Sequence, residues 1–222
     1  MGTDDLFKKK RQRRMARKIE HLEPRPDSYL IVCEGSKTEP LYFEELAHTI
    51  VDELGGRVDI PTIDIEGEGA STVALVNKAI ELRNRADFVY QHVWVVFDKD
   101  DFDDAIQLAN KNDIDVAWSN PSFELWVLLH FNYVDSALDR HQVLDKVNQI
   151  FKDWSIREDG YDKNLDNLYS LINTYGQPQQ AYHWAEKLLS RHRGCQRCSI
   201  MIPATTVHRL VHELEELKHA QK

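Results

Sequence analysis

Two short apolar runs in this 222-residue chain end abruptly in acid. Tyr29-Leu30-Ile31-Val32-Cys33 stops at Glu34-Gly35, and Gln91-His92-Val93-Trp94-Val95-Val96-Phe97 stops at Asp98-Lys99-Asp100. Alternate residues of an extended chain point to the same side, so Asp98 and Asp100 can reach one divalent cation. Oxygen-only ligands select Mg²⁺ or Mn²⁺ over zinc. A carboxylate from a neighbouring strand, here Glu34, completes such a site or moves a proton. A lone D-x-D at a strand end reads as a solvated terminus; the second apolar strand ending in acid turns the reading toward metal chemistry. Glu124 adds to it, because a carboxylate among Phe123, Leu125, Trp126, Leu128 and Leu129 has to be paired or functional.

The elements that must position these acids follow from the hydrophobic pattern. Runs 29–33, 58–65, 91–97 and 114–118 are β-branched or apolar and read as strands, the first entered through Leu22 to Asp27, which contains Pro24 and Pro26 and reads as a linker. Between them, Leu41, Phe43, Leu46, Ile50 and Leu54 recur at helical spacing, and further helices span 73–85, 105–112 and 122–130. Alternating strands and helices of this length predict an α/β fold with a parallel sheet covered on both faces, and polar residues collected at the strands' carboxyl ends. From residue 139 the pattern is helical only, over 139–153, 165–174, 178–193 and 204–219. The expected organisation is a flexible basic arm (1–20), an α/β core (21–135) and a helical extension packed on that core (136–222).

Charge is distributed unevenly. Residues 1–18 hold eight Lys or Arg against Asp4 and Asp5, leaving 20 basic and 35 acidic residues in the rest, a formal −15. The arm, with Lys8, Lys9, Lys10, Arg11, Arg13 and Arg14, can track phosphates or remain a solvated tail. An acidic body that meets an anion needs metal ions to do so. No apolar run approaches the ~18 residues of a membrane span, the basic stretch before Tyr29 does not suit a signal peptide, and three cysteines do not make a disulfide framework; a cytoplasmic protein is expected.

The ordered motifs resemble a known family. The strand ending in Glu34-Gly35 and the later strand ending in Asp98-Lys99-Asp100 look like the Toprim pattern. The stretch Glu34-Gly35-Ser36-Lys37-Thr38-Glu39-Pro40-Leu41-Tyr42-Phe43, the loop 67–72, Asn120-Pro121-Ser122-Phe123-Glu124-Leu125-Trp126 with His130, Gly160-Tyr161-x-Lys163, and Pro203 to His208 resemble the RloB family over residues 28 to about 215. Ile202 departs from its usual Asn-Pro opening of the last motif, and the basic arm lies outside it. The resemblance implies a Toprim-like, Mg²⁺- or Mn²⁺-dependent nuclease of prokaryotic anti-phage defence, acting on DNA or RNA, tRNA included, beside an ATPase partner. In that reading Glu34, Asp98 and Asp100 bind metal, Glu124 is an added ligand or base, and Lys163 or Lys37 contacts the scissile phosphate. Glu39 either joins the metal set or faces the positive end of its own helix. Asn120 and Ser122 either contact nucleic acid or form an ordinary helix-entry turn. A homo-oligomer is carried as an expectation, with the copy number open.

Other readings compete with these. An aspartyl phosphatase leaves Glu34 unexplained and has Phe102 where that chemistry wants Thr or Val; an inactive Toprim-like subunit that binds nucleic acid or an ATPase keeps the acids without turnover. His130 reads as a hydrogen-bonded core histidine. Cys195 and Cys198, with His192 and His208, have the ligand types for zinc without a familiar spacing, and two reduced thiols are the default. Gly67-x-Gly69 lacks the Lys-Ser/Thr ending of a nucleotide-binding loop, so no ATP site is read there.

Overall fold

The computed structural model describes residues 22–55, 61–69, 71–98 and 102–219. The basic arm and Asp100 lie outside these residues. Strand β1 (Pro24–Cys33) is followed by α1 (Thr38–Glu53), β2 (Thr62–Gly67), α2 (Thr72–Arg85), β3 (Val89–Phe97), α3 (Asp103–Asn110) and β4 (Asp115–Asn120). Helices α4 (Glu124–Leu129), α5 (Arg140–Asp153), α6 (Leu168–Tyr175) and α7 (Pro178–Arg191) come next, then the short β5 (Ala204–Thr205) and α8 (Val207–Glu216). The sheet order is β2-β1-β3-β4-β5, with β5 antiparallel to β4 and every other pairing parallel.

Period-two alternation sorts the strand residues onto the two faces. Tyr29, Ile31 and Cys33 of β1, with Trp94 and Val96 of β3, join the larger apolar cluster, which is completed by α1 and by α4 to α8. Leu30 and Val32, with Val93, Val95 and Phe97, face the smaller cluster under α2 and α3. The helices after residue 136 therefore share one core with α1 rather than building their own. Both central strands are buried on both faces, which is why they read as continuous apolar runs.

Three boundaries differ from those expected. β1 begins at Pro24, five residues before the apolar run, and through this exposed stretch it pairs only with β3, at Pro24 and Arg25. An edge tolerates the prolines that made the segment read as a linker. β2 spans Thr62–Gly67, past its expected end at residue 65, and residues 58–60 of the expected run lie outside the described residues. Residues 204–205 form a strand: the Thr205 and Ser119 hydroxyls lie 2.8 Å apart, and Trp118 N–H donates to Thr206 Oγ1 at 2.9 Å. Among the described residues no helix is long and apolar enough to cross a membrane.

Candidate active site

The chain leaves β1 for β2 on one side and later places β3 on the other, so the topological switch point lies between the carboxyl ends of β1 and β3, where open α/β sheets form their ligand crevices. Glu34 and Asp98 stand there. The ladder continues past the strand ends to fix them: Glu34 N–H donates to Val96 O at 2.8 Å, and Gly69 N–H donates to Glu34 O at 2.9 Å. The Glu34 side chain then accepts from Asp98 N–H at 3.1 Å. A cleft of about 460 Å³ opens above this pair, lined also by Glu39, Lys37, Arg140 and Lys163.

Glu39, in the first turn of α1, is buried, and its carboxylate lies directly over Gly35. Gly67 opens the same corner, since a Cβ there would stand 2.7 Å from Pro40 Cγ. Burial pushes the Glu39 carboxyl up; its own backbone N–H opposes this, Glu124 and Glu34 add to it, and Lys163 lowers it. Asp98 is also held well above the usual carboxylate range, by burial first and then by Glu39 and Glu124, against the pull of Arg140.

Glu124 is only 1% exposed and is joined to the cleft through Lys163, which lines it. Its Oε1 lies 3.0 Å from Lys163 Nζ and accepts from the Tyr161 hydroxyl at 3.4 Å, whereas Oε2 has no hydrogen-bond partner among the described residues. Burial would raise this carboxyl, but the nearby Ser122 hydroxyl and Lys163 outweigh it and hold the pKa down. Lys163 reaches Glu124 because Gly160 adopts φ +81°, a conformation suited to glycine, in a space where a Cβ would meet Asn148 Oδ1 at 2.0 Å. Asn148 Oδ1 accepts from Tyr161 N–H at 3.2 Å, and Thr38 Oγ1 donates to Lys163 O at 3.1 Å. The Gly-Tyr-x-Lys segment is thus held between α5 and α1.

Arg140 and Tyr161 complete the site without having been assigned roles from sequence. Arg140 Nη2 lies 3.5 Å from Asp98 Oδ2. It opens α5 behind a capping box in which Gln142 N–H donates to Asp139 Oδ1 and Asp139 N–H donates to Gln142 Oε1, both at 2.9 Å. A cation in a helix's first turn opposes the macrodipole, and that mismatch is the signal that marks Arg140.

Asn120 and Ser122 are fully buried: Asn120 Nδ2 donates to Ser199 O at 3.0 Å, and Ser122 sits beside Glu124. Lys37 is exposed on the cleft rim. Lys8, Lys9, Lys10, Arg11, Arg13, Arg14 and Asp100 fall outside the described residues. His130 is a core residue, with Nδ1 2.9 Å from Trp126 O.

Among the described residues no three His, Cys, Asp or Glu side chains converge on one metal position, at the cleft or at Cys195 and Cys198. The cleft's donors nevertheless suit a hard divalent cation in kind. They are carboxylate oxygens whose burial first and mutual repulsion second raise two pKa values, and Glu124 Oε2 is buried with no partner among the described residues.

Fold and site define an α/β protein with an acidic cleft, edged by basic residues, at the switch point of a mostly parallel sheet. The chain belongs to the RloB family: the family model described as RloB-like protein matches residues 29–214. No curated protein and no solved structure matches it significantly.

Proposed function

We propose that this RloB-family protein is a divalent-metal-dependent nuclease that cleaves phosphodiester bonds of DNA or RNA at the cleft between Glu34, Asp98 and Glu124. The observation that carries the reading is the meeting of Glu34 and Asp98 across the switch point, 64 residues apart in sequence and joined through the Asp98 N–H. Glu34 and Asp98, with Asp100 two positions further along the sequence, would hold Mg²⁺ or Mn²⁺, which when bound would neutralise the charge developing on the phosphoryl group. Glu124, held ionised in the metal-free cleft by Ser122 and Lys163, serves as an added metal ligand or as the proton acceptor for the attacking water. Lys163 and Lys37 supply cations to the phosphate.

Likeness to the Toprim pattern and to anti-phage defence proteins supports this reading, as does an acidic body whose approach to nucleic acid calls for metal. The decisive experiment incubates the purified chain with Mg²⁺ or Mn²⁺ and, side by side, DNA, total RNA and tRNA. Cleavage of one class, lost in Asp98→Asn, is the expected result. Binding without cleavage under every metal condition would replace the reading with an inactive Toprim-like subunit that works through an ATPase partner. A defence role predicts that cells expressing the chain resist phage infection and that cells expressing Asp98→Asn do not.

A further inference from the structure

Arg140 and Lys163 share an arrangement that a purely structural ion pair does not require. Each is about half-exposed, with side-chain exposures of 49% and 47%, and each touches a much less exposed carboxylate, Asp98 at 17% and Glu124 at 1%. Both line the same cleft as Glu34 and Glu39. Their backbones are anchored, Arg140 by the Asp139–Gln142 capping box and Lys163 by Thr38, while their charged heads reach solvent on long flexible stems. Arg140 keeps its position against the unfavourable end of the α5 dipole.

The charges explain why the heads are there. Four carboxylates without cations repel one another and repel phosphate; the two basic heads offset part of that charge without filling the cleft. A divalent ion binds carboxylate oxygen at about 2.0–2.6 Å, closer and with twice the charge of either head, so it competes directly for the same oxygens. A cation displaced in this way is repelled by the incoming ion and attracted by an arriving phosphate, which accepts charge-assisted hydrogen bonds.

We propose that Arg140 and Lys163 are exchangeable counter-ions: they hold Asp98 and Glu124 in the metal-free cleft, yield those oxygens to the divalent cation, and turn to the substrate phosphate. The proposal rests on the nuclease reading above. It assigns to Arg140 a phosphate-binding role that sequence did not indicate, and it makes metal binding the event that converts the cleft from repelling to accepting an anion.

The test uses the full chain, its Arg140→Gln variant and, because loss of Lys163 would leave a buried carboxylate exposed to misfolding, Lys163→Arg as the second variant. Calorimetric titration with Mn²⁺ alone is followed by binding of phosphorothioate 12-mer DNA and RNA in saturating Mn²⁺. Arg140→Gln should bind Mn²⁺ about two- to fivefold more tightly, since a competitor is gone. It should bind whichever oligomer the wild type prefers about three- to tenfold more weakly. Lys163→Arg, keeping the charge, should retain oligomer binding within about threefold. Unchanged or weakened Mn²⁺ affinity in Arg140→Gln, with metal-dependent cleavage intact in the wild type, overturns the exchange and leaves the nuclease reading standing. Absence of Mn²⁺ binding by the wild type overturns both.

Discussion

The carboxylate of Glu39 occupies the place where a side chain on Gly35 would begin: a Cβ on Gly35 would lie 2.0 Å from Glu39 Oε2 and 2.6 Å from its Cδ. The glycine of the Glu-Gly motif therefore serves an acid five residues beyond Glu34, and the two positions form one unit. Gly35→Ala is expected to destabilise the chain by about 1–3 kcal/mol as the buried carboxylate is pushed aside. Glu39→Ala should relieve the clash, so the double variant should be more stable than the sum of the single changes by about 1 kcal/mol or more. Additive losses in urea unfolding would show that the two positions do not act together.

Asp98 gives the cleft a pH signature. Its carboxyl holds a proton more tightly in the folded than in the unfolded chain, because burial and then Glu39 and Glu124 disfavour its charge. Between the ordinary carboxylate range and the raised value the folded state binds more protons, so this group makes stability fall as pH rises through that window. Metal-free Asp98→Asn should consequently unfold at a higher temperature at neutral pH, by roughly 2–4 °C for about 1 kcal/mol, and respond less to pH. Mg²⁺ or Mn²⁺ should raise the wild-type melting temperature and leave that of Asp98→Asn nearly unchanged.

His130 works in the opposite sense. Burial lowers its pKa to about 4, although its ring contact with the Trp126 carbonyl pulls it upward. The unfolded chain then takes up a proton near pH 6.5 that the folded chain refuses, and stability falls as pH drops from about 6.5 toward 4. About 2 kcal/mol should be lost from this group between pH 7 and pH 5, measured by urea unfolding. His130→Gln should lack that component, leaving a shallower profile.

The basic arm makes a prediction about binding rather than chemistry. Eight cationic residues within the first eighteen should contribute counterion release, so deleting residues 1–18 should weaken nucleic-acid binding and flatten its dependence on salt while turnover at saturating substrate stays nearly constant. An unchanged slope of log affinity against log salt would identify the arm as a solvated tail.

The parts of this site that sequence makes legible are those with strong local patterns. Strands 29–33 and 91–97 are apolar because both faces are covered, so the change to acid at Glu34 and Asp98 stands out without any knowledge of the fold. Glu124 is visible for the related reason that its surroundings are apolar. Pairings across long sequence separations are invisible from one chain: nothing near residue 140 points to Asp98, and nothing near Tyr161 points to Glu124. The burial of Asn120 and Ser122 is equally invisible, because a polar turn reads as exposed until the Ser199 carbonyl closes over it. The segment carrying Pro24 and Pro26 reads as a linker because composition cannot tell an edge-paired stretch from an unpaired one.

Thr38 Oγ1 reaches across 125 residues to the carbonyl of Lys163, and this contact has a consequence for biosynthesis. Domains emerge amino-terminus first, and contacts so distant in sequence close late. A chain halted on the ribosome before residue 163 already owns Glu34, Asp98 and Glu124 but lacks the ammonium that keeps Glu124 charged in its buried position. Assembly of the cleft is thereby deferred until the segment carrying Lys163 has been translated and docked, so an unfinished copy holds Glu124 without its cation.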